Sequence, residues 1–197
     1  MKLTILGSGT AIVTARRGPS GYLIKIADKT LLLDSGSGTL RKIAEASSSF
    51  KEIDYAIYTH LHPDHVTDLI SLLFALRIPS NFKSKDLTVI GPAGMKEFHR
   101  NLAKVFNDFI DPRGYELTIN ELSGGYLDLE NFRLTSSLIN HHEGSLAYRV
   151  KSKEGKSLVY SGDTDYCESI VDLARDVDVL LLECSYPKHI KVDGHLN

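Results

Sequence analysis

Between Tyr58 and Ile70 the chain reads YTHLHPDHVTDLI, which places His60, His62, Asp64 and His65 inside six residues, with three of the eight histidines of the whole chain. The run before this window, Asp54–Tyr58, reads as a buried strand. The run after it, from about Val66 to Arg77, has the apolar spacing of a helix that stops before Pro79. Side chains at i and i+2 of an extended segment point the same way, so His60 and His62 can face one ion. Pro63 presets φ for a first helical turn and puts Asp64 and His65 at a helix N-terminus. From there they project differently from the strand pair, as ligands of a second, adjacent ion would. The plain alternative is a structural histidine patch with Asp64 as a helix cap. A lone His-x-His would not displace that alternative; four ligand-type residues at a strand-to-helix junction do. Imidazole with carboxylate suits Zn²⁺, and also Mn²⁺ or Fe²⁺.

Short strands surround this junction. Lys2–Leu6 is a strand that runs into the glycine turn GSGTAIV. That turn has no third glycine and no helix start, so it is a tight exit turn and not a dinucleotide fingerprint. Tyr22–Ala27 and Thr30–Leu33 form a hairpin. Gly36 and Gly38 open a short helix near Thr39–Ala46. Leu87–Ile90 is a strand and Pro92–Asn107 a helix. The remainder is mostly β, with strands at Phe132–Ile139, Leu146–Val150, Leu158–Tyr160 and Val179–Leu182, and one helix near Tyr166–Ala174. Helices punctuate the strands and do not alternate with them. The class is therefore α+β, with sheets layered by helices, and not a doubly wound parallel sheet.

Composition narrows the partners. The 197 residues fit one domain, 1–197, with enough chain for a sizeable core. A net charge of -2 gives no strong nucleic-acid signal, because backbone recognition needs a basic face. Arg16–Arg17 is a small local basic patch whose first reading is two solvated loop arginines. Cys167 and Cys184 sit in different motifs and read as reduced thiols. The apolar run of the N-terminus is too short for a signal peptide, and no stretch approaches a membrane span. The expectation is a cytoplasmic protein with no membrane partner.

HLHPDH resembles the His-x-His-x-Asp-His signature of the metallo-β-lactamase superfamily. The later segments LLLDSG, INHHEGSLAYRV and YSGDTDY follow it in the family's order, across residues 1–197. The resemblance implies a four-layered αβ/βα sandwich. It implies one ion on His60, His62 and His141, a second on Asp64 and His65, and Asp163 bridging the two. Asp34 becomes a carboxylate behind the ligands that orients them. His141 is preferred over His142 by its distance to Tyr148, with His142 as a neighbour in the pocket.

LGSGTA, LLLDSGSGT, SLAYRV, SGDTD and LLECSYP are most similar to the ribonuclease Z-like and phosphodiesterase branch. Members that process transfer RNA often insert a long basic arm between the histidine motif and the bridging aspartate. Only residues 142–162 separate His141 from Asp163 here, which points to a small-molecule or nucleotide phosphodiester. GHLN resembles a motif whose histidine protonates the leaving group, so His195 joins Asp64 as a catalytic candidate, with a frayed terminal histidine as its rival. The family continues through a helix and a strand to a last metal ligand, so the sequence reads as a chain without that end.

The function so implied is metal-assisted hydrolysis at a two-Zn²⁺ site. Water held between two cations about 3.5–4 Å apart is acidified enough to attack phosphorus near neutral pH. A lactonase or thioesterase on the same residues, and a catalytically weak metal-binding module, are the rival readings. A homodimer is an expectation from the branch alone.

Overall fold

Leu31, Leu32 and Leu33 are all fully buried, although successive side chains of a strand point to opposite faces. A strand covered on both sides needs an unbroken apolar run, and that is what LLL supplies. It is the middle of β3 (Lys29–Ser35) in a computed structural model of the chain, which describes residues 1–78 and 85–197. The chain divides into two units, Lys2–Glu121 and Leu122–Asn197, the latter together with Met1.

In the first unit β1 (Lys2–Gly7), β2 (Gly21–Ile26) and β3 pair antiparallel in sequence order. β3 then pairs in parallel with β4 (Tyr55–Ile57), and β4 with β5 (Leu87–Pro92). The sheet ends with β6 (Leu117–Leu122) beside β5. Parallel neighbours need crossovers, which carry the helices α1 (Thr39–Glu45), α2 (Pro63–Val66) and α3 (Asp68–Leu76). α3 buries Leu69, Leu72, Leu73 and Leu76, one stripe at helical spacing, in the same cluster as Leu32, Ala56 and Val89. The buried carboxylate of Asp68 accepts from the Leu40 backbone N–H at 2.9 Å and so satisfies an orphan donor of the first turn of α1.

Two differences from the sequence reading bear on function. β4 ends at Ile57, so His60 and His62 lie in the extended segment beyond the strand and not on its last residues. The helical turn expected at Pro63 forms, but the helix divides at Thr67, whose hydroxyl bonds back to the Pro63 carbonyl. Pro79, read as the stop of this helix, lies outside the described residues. The second long helix, α4 (Met95–Phe106), starts three residues later than its glycine-proline signal because Gly94 takes a left-handed φ of 95° at its N-cap.

The second unit holds a five-stranded sheet in the order β11-β10-β9-β8-β7. Its strands are β7 (Gly125–Asp128), β8 (Phe132–Leu138), β9 (Leu146–Ser152), β10 (Ser157–Tyr160) and β11 (Val179–Leu181). All pairs are antiparallel except β10 with β11. α5 (Glu168–Leu173) packs Ile170 and Leu173 with Ala147 and Val159. The class is α+β, as the residue pattern predicts. Both cysteines are free thiols, and among the described residues no helix is long and apolar enough to cross a membrane.

Candidate metal centre

In the first unit the ligand-type residues are organised by one carboxylate. Asp34 is fully buried at the end of β3, in a left-handed conformation (φ 52°) that a non-glycine residue adopts only when its surroundings impose it. Its Oδ1 accepts from the Thr59 backbone N–H at 2.9 Å, and its Oδ2 from the Thr59 hydroxyl at 2.8 Å. His65 Nδ1 lies 2.7 Å from the same Oδ2 and donates to it. A buried charge is tolerable only when hydrogen-bonded in this way.

The Thr59 proton is committed to Asp34, so its oxygen is left to accept. His60 Nδ1, 3.0 Å away, therefore carries a hydrogen and donates it. Both rings are thus set in the tautomer that places the lone pair on Nε2, the arrangement in which imidazole binds a cation. The rings are close: His60 is 4.6 Å from His62 and 4.1 Å from His65 between centroids. Asp64 Oδ2 lies 3.7 Å from His65 Nε2. Imidazoles held by carboxylate and hydroxyl, with a partly exposed carboxylate at hand, form a donor set that fits a divalent metal.

The surrounding shell is rigid. Tyr58 is completely buried with its hydroxyl 2.8 Å from Ser35 Oγ. Burial, reinforced by the charges of Asp34 and Asp68, drives that hydroxyl far above its ordinary range against the Ser35 bond, so it stays neutral. Gly36 has no substitute, since a Cβ there would sit 2.0 Å from the Asp64 carbonyl oxygen. That contact lets the β3 turn press against the start of α2.

The second unit brings together His141, Asp163 and His195, whose candidate donor atoms lie within 4.8 Å of one another. His141 follows β8 and is half-buried, with Nδ1 2.9 Å from the Gly194 carbonyl, to which it donates. Its lone pair is again on Nε2. Neighbouring His142 is exposed, its Nδ1 3.2 Å from the carbonyl of adjacent Glu143. Gly194 adopts a φ of 80°, and a Cβ on it would approach His141 Nδ1 to 3.0 Å. Asp163 sits half-buried in the turn that leaves β10.

His195 is not frayed. Its Nδ1 lies 2.9 Å from Glu183 Oε1, and its side chain is only 19% exposed. Glu183 is itself fixed: Oε1 accepts from Thr164 N–H at 2.7 Å, and Oε2 accepts from Ser185 N–H at 3.0 Å. The segment is also tied down by Lys191, whose ammonium reaches Asp165 at 2.5 Å and the His195 carbonyl at 3.0 Å. Lys191, foremost, holds the Asp165 carboxyl below its usual range.

Three contributors escaped the sequence reading: Thr59, Glu183 and the Gly194 carbonyl. Glu183 had a signal, an acid directly after the apolar run of β11. Thr59 and Gly194 had none, since each acts through a partner distant in sequence.

The family described as Anti-Pycsar protein Apyc1 matches the chain over residues 1–197. Among curated proteins the chain is similar to ribonuclease Z of Brevibacillus brevis, at 26% identity over 97% of this chain and 75% of that one. It is 31% identical to ribonuclease Z of Clostridium acetobutylicum over 77% of this chain and 50% of that one. Among solved structures, human tRNase Z, short form, superposes with a TM-score of 0.84 at 21% identity, covering 100% of this chain and 84% of that one. The metallo-β-lactamase fold protein YhfI of Bacillus subtilis gives a TM-score of 0.83 at 24% identity, covering 99% of this chain and 77% of that one. The fold is that of the metallo-β-lactamases, and the relatives lie in the ribonuclease Z-like branch that the motifs resemble.

Proposed function

The chain belongs to the Anti-Pycsar protein Apyc1 family, and on that premise we propose that it is a metal-dependent hydrolase that cleaves a small nucleotide phosphodiester. The observation that carries this reading is the Asp34 network. A carboxylate and a threonine hydroxyl fix two imidazoles with their metal-binding nitrogens set, which supports a metal site over a merely structural histidine patch.

His60, His62 and His141 would hold one ion, and Asp64 and His65 a second, with Asp163 shared between them. The carbonyl-anchored ring of His141, against the exposed ring of His142, supports that choice. Zn²⁺ is the metal that the donor set suits best. Bound there, the ions would polarise the phosphoryl oxygens and acidify the attacking water.

The chain's own groups supply the rest. His195, with Nδ1 held by Glu183, presents Nε2 as the proton donor to the departing oxygen. Substrate size follows from what fills residues 142–162. They form β9, a tight turn and β10, with no arm that could grip a folded RNA.

Protein purified without chelator should contain close to two zinc ions per chain by elemental analysis. It should hydrolyse bis(4-nitrophenyl) phosphate in preference to a lactone or a thioester. Turnover of the lactone or thioester alone would replace the phosphodiester reading by another ester hydrolase. Absence of both metal and turnover would leave a binding module.

A further inference from the structure

Arg16 and Arg17 are exposed, and both residues line a cavity of about 430 Å³ in the first unit, to which α1 contributes Arg41 and Lys42. We propose that this cavity is a second binding site, for the phosphate of a nucleotide, built apart from the histidine residues of the metal centre.

Charge is the first argument. Four cationic side chains line the cavity and no carboxylate does, in a chain whose 25 acidic residues outnumber its 23 basic ones. Glu45 pairs with both Arg41 and Lys42, so one carboxylate is divided between two cations. Among the described residues neither Arg16 nor Arg17 is in a salt bridge, and their hydrogen bonds are made by the backbone. Their guanidinium donors remain available for an anion, and the planar fork of arginine matches phosphate oxygens in pairs.

Local construction is the second. Thr14 N–H donates to the Arg17 carbonyl at 2.9 Å, while the Thr14 hydroxyl accepts from the backbone N–H groups of Arg16 and Arg17 at 3.3 and 3.0 Å. The turn is thus closed on itself, which spares part of the ordering cost of binding.

The third argument sets the class of ligand. Ile5 and Val13 line the same cavity and are each 60% exposed, a large apolar surface left in water beside the cations. An inorganic anion would not use it; the base or sugar of a nucleotide would. The cavity is of the size that encloses one small molecule. A polynucleotide would require the basic surface to continue, which the net charge of -2 does not support. None of His60, His62, Asp64 or His65 lines the cavity.

Equilibrium dialysis of adenosine 5′-monophosphate against the whole chain, at low salt with chelator present, tests this without turnover or metal. R16A/R17A should weaken binding by about tenfold or more, as should R41A/K42A, and neither adds a buried group that could unfold the chain. K151A/K153A, which removes the same charge from exposed positions of the second unit, should stay within about twofold. H60A should bind as the parent does, so that failure of the hydrolase reading leaves this result unmoved. Wild-type affinity in both arginine-lysine variants would overturn the proposal. So would an equal loss in K151A/K153A, a loss in H60A, or adenosine competing as well as the monophosphate.

Discussion

The two groups of histidines are anchored in different ways. His60 and His65 hang from Asp34, a fully buried carboxylate at the end of a strand covered on both faces, and Tyr58 is sealed behind them. His141 and His195 hang from a backbone carbonyl and from Glu183, in turns that follow strands, and part of each ring is open to water. In the first group the anchor is also part of the core, so site and fold share one interaction. In the second the anchors lie in loops outside the apolar core, and the site can be loosened while the sheet stands. Rigidity at the proposed metal centre thus comes at two scales, and mutations separate them.

The largest effect belongs to Asp34. Asp34→Asn keeps the shape but presents an amide group where three donors converge on the carboxylate, so a buried clash of donors replaces a hydrogen bond. Metal affinity should fall about 10- to 100-fold. The melting temperature of the chelated protein should drop by about 4–8 °C or more. Elemental analysis and calorimetry check the two halves of that statement. Metal content and melting temperature both at parental values would break the comparison at its strong end.

Glu183→Gln should act more narrowly. It removes the charge behind His195 and turns an amide NH2 towards one of the two pairs of donors that the carboxylate now receives, but in a turn outside the apolar core. Turnover of the phosphodiester should fall by about 100-fold, the lower part of the range for a general acid, with metal content unchanged. Its melting temperature should fall less than that of Asp34→Asn, because the turn can adjust where the core cannot. A variant that loses metal as Asp34→Asn does would place Glu183 in the metal scaffold and not behind a proton donor.

The residues explain why some of this was legible and some was not. HLHPDH is contiguous, and its chemistry is local. Pro63 does open a helix there, and Asp34 follows an apolar strand that can be read directly. The apolar spacing of α3 and the Leu31–Leu33 run announce their burial. The Thr59 relay depends on the parallel pairing of β3 with β4, a contact between residues about 25 positions apart that no window of sequence contains. β6 and β7 were missed for a different reason. LTINEL and GYLD hold no fully buried residue, so the alternation that marks a half-buried strand is faint in them. Glu183 stood in a quoted motif, yet its role appears only once His195 is brought to it by the turn through Val192 and Gly194.

The smallest expected effect separates acid sensitivity of the fold from that of the site. His99 on α4 is half-buried, and its Nε2 has no hydrogen-bond partner among the described residues. Desolvation lowers its pKa, with Asp111 pulling weakly the other way. The folded chain therefore takes up this proton at lower pH than the unfolded one. Above the unfolded value, near 6.5, both states are neutral here and the position costs nothing. As pH falls through that value the unfolded state binds a proton that the fold resists, so stability declines with acid. His99→Leu should remove that decline. The drop in melting temperature of chelated protein between pH 7.5 and pH 5.5 should shrink by about 1–3 °C. An unchanged drop would place the acid sensitivity of the fold at groups other than His99.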